Sequence, residues 1–231
     1  IKASFVRYVM TDELNKNKKG TCGYRPDRTI FDSSMVADIL DIKPEHDIKS
    51  YHTQPVWLNI WVPDNTKPGI YRGKISFAGG DSKFPSLDIE INVLNRTLPS
   101  PKEWAFVLDL WQNPYAVARY HDVPLWSREH FQAMRPMMQQ LADAGQKNIT
   151  VSIMHHPWGA QTEDAFESMV MRIRKIDGSW MFDYAVFDKW VEFMTSMGMK
   201  GLINCYSMIP WKLSFQYFDQ GSNTLKFVDA K

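Results

Sequence analysis

Along residues 55–93 apolar and polar side chains alternate one by one, the period of a strand with one wet face. Val56, Leu58, Ile60 and Val62 fall on one side of Pro55–Pro63, and Trp57, Asn59 and Trp61 on the other. Asp64–Gly69 is rich in turn formers. Tyr71, Gly73, Ile75 and Phe77 then alternate with Arg72, Lys74 and Ser76. Leu87, Ile89, Ile91 and Val93 alternate with Asp88, Glu90 and Asn92. Three such runs joined by short polar connections predict one antiparallel sheet. With further strands near Phe5–Met10 and Val36–Ile42, residues 1–97 are expected to form a β-sandwich.

Leu98-Pro-Ser-Pro101 reads as a short stiff linker, residues 98–101, and after it the period changes. Trp104–Trp111 is a compact apolar run with the length of a strand. Ser127 is placed to cap a helix, with Glu129 favourable in its first turn. Phe131, Met134, Met138 and Leu141 share one face of that helix, Pro136 should kink it and Gly145 ends it. Asn148–Met154 is the next strand, Met181–Met197 a second helix closed by Gly198, and Lys200–Ser207 a third strand. This alternation predicts parallel β/α units. Residues 102–231 are therefore expected to be the first three units of an incomplete (β/α)8 TIM barrel. Phe215–Phe218 and Leu225–Val228 have the pattern of a hairpin near the open edge of the third strand.

Composition narrows the function classes. The 231 residues carry 27 basic and 26 acidic side chains, a net charge of +1, so nothing in the balance calls for nucleic acid or an anionic membrane as partner. No apolar run approaches the roughly 18 residues of a membrane span. The opening IKASFVRYVM is already strand-like and reads as no signal peptide. The two cysteines, Cys22 and Cys205, form no disulfide framework and fit no zinc spacing. Nine tryptophans are more informative, because several stand beside Pro, Asn or Gly at strand ends.

In a barrel, strand residues alternate between lumen and helix layer. Phe106, Leu108 and Leu110 are the better helix-facing set, which turns Val107, Asp109 and Trp111 inward. Ile149, Val151 and Ile153 face helices in the second strand, and Thr150, Ser152, Met154 and His156 face in. Asn204 and Tyr206 are the inward residues of the third. Active sites of this fold lie at the carboxyl ends of the strands. There the chain carries WQNPYAVARYHDVPLW, HHPWGAQTED and SMIPWKLSFQYF. Aromatic faces beside planar hydrogen-bonding groups suit a sugar, whose C–H face packs on a ring while its hydroxyls take paired donors and acceptors. The candidate substrate-binding residues are Asp109, Trp111, Gln112, Arg119, His155, His156, Trp158, Tyr206 and Trp211. Asp109 could equally serve the fold, and Arg119 could equally fix a loop through a salt bridge. His155 and His156 are adjacent and have no third ligand at a metal spacing, so no metal is expected.

The run QPVWLNIWVPDNTKPGIYRGKISF resembles the β-sandwich that precedes the barrel in glycoside hydrolase family 123. WAFVLDLWQNPYAVARYHDVPLWSREHF, NITVSIMHHPWG and LINCYSMIPW are similar to the opening of that family's catalytic barrel. The resemblance spans about Phe31 to Phe218. It implies hydrolysis of a β-linked N-acetylgalactosamine-type sugar, with an N-acetylated hexosamine glycan as partner and no cofactor. It also implies a substrate-assisted, retaining mechanism, in which the substrate's own acetamido oxygen attacks the anomeric carbon. A Glu would act as general acid and a neighbouring Asp would orient the acetamido group. Export to a bacterial periplasm or surface is implied as well.

The family's acid pair is an adjacent Asp-Glu on a later barrel strand. About 130 residues follow the linker here, against about 250 for a whole barrel. Asp12-Glu13 lies in the sandwich half, and Glu163-Asp164 is reversed and sits in a loop. No catalytic residue is therefore expected in this chain, and the chain alone is expected to be inactive. The remainder of the barrel, or another chain, is expected to cover the open edge. The competing reading is a non-catalytic carbohydrate-binding protein that uses the aromatic rim.

Overall fold

A computed structural model describes residues 1–11, 34–79, 82–158, 162–210 and 213–229. Asp12, Glu13, Cys22 and Trp211 lie outside these residues. The described chain divides into two compact units, one ending at Leu98 and the other running from Pro99.

The first unit is all β. β1 (Lys2–Thr11) lies between β2 (Ser34–Leu40) and β3 (Val56–Asn59), antiparallel to both. β4 (Gly69–Ile75) pairs with β7 (Leu87–Val93), and β5 (Ala78–Gly79) with β6 (Ser82–Lys83). β4 and β7 pair antiparallel as the sequence predicts, but burial alternates only along β7; β4 is exposed from Gly69 to Lys74. Arg72 stands opposite Glu90 and Lys74 opposite Asp88, and both pairs form cross-strand salt bridges at 2.8 and 3.6 Å. The single sheet expected from the three alternating runs is not what forms. β3 pairs with β1 rather than with β4, and the regular alternation of burial stops at Asn59. Among the described residues, no side chain of this unit is fully buried.

The second unit holds the core. A single 3-10 turn (Pro101–Glu103) precedes α1 (Pro114–His121) and α2 (Arg128–Asp143). β8 (Ile149–Ser152), β9 (Met171–Arg174), β10 (Trp180–Asp183), α3 (Ala185–Ser196), β11 (Ile203–Tyr206), β12 (Ser214–Asp219) and β13 (Thr224–Asp229) follow. β8 and β11 are parallel, with Asn204 beside Thr150 and Tyr206 beside Ser152. β8 is buried along its whole length. Met134 and Met138 of α2, Trp190 and Met194 of α3, and Ile149 and Val151 of β8 form one apolar cluster. Ser127 caps α2 by accepting the His130 N–H at 3.1 Å. Gly145 then turns the chain out of the helix at φ +98°, where a Cβ would stand 2.9 Å from the Pro101 carbonyl.

Two elements differ from expectation. Residues 104–113 form no regular strand; Leu108 makes one parallel bridge to Gln146. Both faces of this segment stay exposed, with Phe106 at 64% and Trp111 at 53%, so burial does not separate a lumen side from a helix side. The ladder fails because side-chain amides take its place. Gln146 accepts the Leu110 N–H at 2.9 Å and Gln112 accepts the Thr150 N–H at 3.0 Å. The second helix begins at Ala185 rather than Met181, because Met181–Asp183 pair with Met171–Ile173 in a hairpin. The β12–β13 hairpin forms as its pattern suggests, but it joins β9 rather than the edge of β11. Asp219 ties its turn together: Lys226 and the Ser222 N–H both donate to it, and Lys226 holds its carboxyl below the usual carboxylate range.

His130 gives the unit a pH dependence. The ring is fully buried; Nδ1 accepts the Trp126 N–H at 3.0 Å, so Nε2 is the donor to the Pro114 carbonyl at 2.9 Å. Burial lowers its pKa from 6.5. The unfolded state therefore takes up a proton that the folded state refuses. Stability is full above about pH 6.5 and declines as pH falls below it. The urea midpoint should drop between about pH 7.5 and about pH 5.5, and His130→Gln should make that drop smaller. An identical drop in the variant would show that other groups set the dependence.

Candidate functional site

Three segments end at the same side of the parallel pair. Trp111 lies three residues beyond the Leu108 bridge, Trp158 follows β8, and Tyr206 closes β11. Their rings meet. Trp111 is 4.9 Å from Tyr206 and 5.8 Å from Trp158, and Trp158 stacks on Tyr206 at 4.8 Å with an interplanar angle of 9°. Trp158 is almost fully buried, and Trp111 keeps half of its surface open to solvent. The cluster is thus a wall with a buried back and an exposed front. Phe166 closes the back, 4.3 Å from Trp158 and 4.7 Å from Tyr115.

The loop after β8 is fastened by polar contacts. Tyr115 Oη and Ser152 Oγ both donate to the Glu167 carbonyl, at 2.5 and 2.8 Å. Burial pushes the Tyr115 phenol upward, so it stays a donor. Ser168 Oγ lies 2.9 and 2.7 Å from the Ile153 and Val170 carbonyls, which share its one proton, and Arg172 donates to the Ile153 carbonyl at 2.8 Å. Arg119, on α1, grips Asp164 with two nitrogens at 2.7 and 3.2 Å. Of the two roles open to Arg119, loop fixation is the one its guanidinium performs in this structure.

The other candidates separate. Asp109 is exposed, and among the described residues no hydrogen bond or ion pair reaches it. Gln112 is buried, with Oε1 on the Thr150 N–H and Nε2 on the Leu110 carbonyl, so its amide is committed to the fold. His155 and His156 lie in a turn after β8 rather than on a strand, and His156 takes φ +50° there. His155 Nδ1 is 3.5 Å from Glu167 Oε2 without hydrogen-bond geometry, and its ring meets Phe227 of β13 at 5.4 Å. Three buried polar atoms have no hydrogen-bond partner among the described residues: Thr150 Oγ1, His155 Nδ1 and Trp158 Nε1. All three belong to β8 or the turn that follows it. A buried orphan costs about 1–3 kcal/mol, and such groups concentrate where a fold serves something other than stability. No group of three or more His, Cys, Asp or Glu among the described residues could hold a metal ion.

Sequence reasoning missed Tyr115, Phe166 and Glu167. The signal for Tyr115 was present: Asn113-Pro114 is a cap followed by proline at the first helical position, and Asn113 accepts the Ala116 N–H at 3.0 Å. Phe166 and Glu167 sit in an irregular loop with no periodicity to announce them.

Comparison with known proteins then places the chain. Residues 111–231 match the glycoside hydrolase 123 catalytic domain, and residues 1–79 match the glycoside hydrolase 123 N-terminal domain. Among proteins of curated function none matches. A solved structure of a family 123 glycoside hydrolase from Clostridium perfringens, described as giving the details of glycolipid glycan hydrolysis, superposes with a TM-score of 0.88 at 27% identity. The superposition covers 99% of this chain and 39% of that one. With both family domains matched in order along one sequence, the chain belongs to glycoside hydrolase family 123.

Proposed function

We propose that the chain forms part of a glycoside hydrolase that removes a terminal β-linked 2-acetamido sugar, of the N-acetylgalactosamine type, from a glycan. The observation that carries this reading is the meeting of Trp111, Trp158 and Tyr206 from three separate segments. A half-exposed ring backed by buried rings is a surface for the C–H face of a pyranose. The relative's action on glycolipid glycans supports a glycan as substrate.

In this reading residues 1–97 are the sandwich of the family and residues 102–231 the opening units of its barrel. The parallel β8–β11 pair and the parallel Leu108–Gln146 bridge support that geometry. The remainder of a barrel, or another chain, would cover the free edge of β11. Trp111, Trp158 and Tyr206 form the pocket wall, with His155, His156 and Asp109 as further contacts at its rim. Arg119 acts through the Asp164 bridge, and Gln112 through the backbone it holds. The acetamido oxygen is the nucleophile, so the protein need supply only an acid and an orienting group. That Asp-Glu pair belongs to a strand beyond these three units. Export to a bacterial periplasm or surface goes with such a substrate.

The full-length gene product is expected to release 4-nitrophenol from 4-nitrophenyl N-acetyl-β-D-galactosaminide. Trp111→Ala should lower its kcat/KM at least about tenfold through loss of one stacked ring. Suppose instead that the gene product cleaves no 2-acetamido β-glycoside while this chain binds the free sugar in calorimetry. The hydrolase reading then gives way to a carbohydrate-binding protein.

A further inference from the structure

The first unit carries a second aromatic surface that the proposed hydrolase does not use. A concavity of about 410 Å³ is lined by Tyr8, Met35, His46, Ile48, Tyr51 and His52, with Asp47, Lys49 and Gln54 also contributing. That volume lies in the range of small-ligand sites. Tyr51 is its most unusual member. It is the third residue of the Lys49–His52 turn, closed by the His52 N–H to the Lys49 carbonyl at 3.2 Å, and its φ is +64°. Glycine is the residue this position favours; a tyrosine is strained there. The side chain is exposed to 107% of its reference surface, so no packing within the unit offsets the strain. A strained backbone that holds an aromatic ring out in water is a feature to explain by function.

The surroundings narrow the ligand. Tyr8 Oη donates to the Thr53 carbonyl at 2.9 Å, and His46 stacks on Phe5 at 5.5 Å, so both walls are held in place. His52 Nδ1 donates to the Ser50 carbonyl at 3.0 Å, which leaves Nε2 as an acceptor. Gln54 Nε2 donates to the Val6 and Pro55 carbonyls, which fixes its Oε1 as a further acceptor. One acid, Asp47, stands against one base, Lys49, so the lining has no charge excess to recruit an ion. An exposed ring beside acceptors and balanced charge matches a polyhydroxylated ring with an apolar face. We infer that this concavity binds a neutral saccharide, with Tyr51 as the stacking platform. The site is independent of the Trp111 cluster and of the hydrolase reading.

Tyr51→Gly is the decisive variant, because glycine suits φ +64° and should leave the urea midpoint unchanged or raised. Methyl β-galactoside, methyl β-glucoside and lactose are titrated while backbone amide shifts are followed by NMR. At least one should move the amides of Ile48–Gln54 with a millimolar Kd, and Tyr51→Gly should weaken that Kd at least about fivefold. Amides near Trp111 and Tyr206 report on the other site in the same spectra, so the two readings fail separately. Absence of shifts at Ile48–Gln54 with all three sugars overturns the inference. So does an unchanged Kd in the variant.

Discussion

Trp190→Ala is expected to lower the stability of the second unit by about 3–5 kcal/mol. The indole is completely buried between α2, α3 and β8, within the cluster that contains Met134, Met138, Val151 and Met194. Its Nε1 donates to the Thr150 carbonyl at 3.0 Å, which joins α3 to β8. Truncation removes the apolar contacts, leaves a cavity that helices on two sides cannot collapse, and orphans a buried carbonyl. Against a total of about 5–15 kcal/mol for a domain, the loss is a third or more. Trp190→Phe separates the contributions: it keeps most of the volume and should cost only about 1–2 kcal/mol, chiefly the hydrogen bond. The urea midpoint measures both. A loss below about 1 kcal/mol for the alanine variant would mean that the core is not organised around this ring.

Gln146→Leu should cost about 2–3 kcal/mol, from a side chain that reads as an ordinary polar residue after a helix. Gln146 is almost fully buried; its Oε1 accepts the Leu110 N–H at 2.9 Å and its Nε2 donates to the Asn148 carbonyl at 2.8 Å. Leucine fits the volume and satisfies neither. The consequence is local and can be read residue by residue. Amide exchange at Leu110 should quicken about 30-fold, the equivalent of about 2 kcal/mol, because its partner among the described residues is gone. Exchange at Thr150 should change less, since Gln112 still holds it. Trp111, one residue beyond Leu110, should lose its fixed approach to Tyr206, now 4.9 Å. If Leu110 exchanges at its parent rate, the amide side chain is not what joins this segment to β8.

Gln146 and Gln112 also show where reading by pattern stops. The run Trp104–Trp111 has the apolar content of a strand, yet it makes one bridge, because two glutamine side chains occupy the hydrogen-bonding positions of the ladder. Gln112 looks like a free amide at a strand end until the Thr150 N–H is seen against it. Met181 and Phe182 carry the apolar content of a helix start, but their backbone pairs with Ile173 and Arg172. Period alone does not separate a short apolar strand from the first turn of a helix.

What the sequence determined by itself is what local chemistry controls. The antiparallel pairing of β4 and β7, the Ser127 cap, the apolar face of α2, the Gly145 stop and the β12–β13 hairpin each follow from neighbours within a few residues. The aromatic character of the strand ends was legible for the same reason. Tertiary structure alone decided which distant groups meet: Arg119 with Asp164, 45 residues apart, and Gln112 with Thr150, 38 apart. It also turned three tryptophan and tyrosine side chains on separate segments into one wall. Each of those groups has several partners of suitable chemistry along the chain, and only the closed tertiary structure selects one of them.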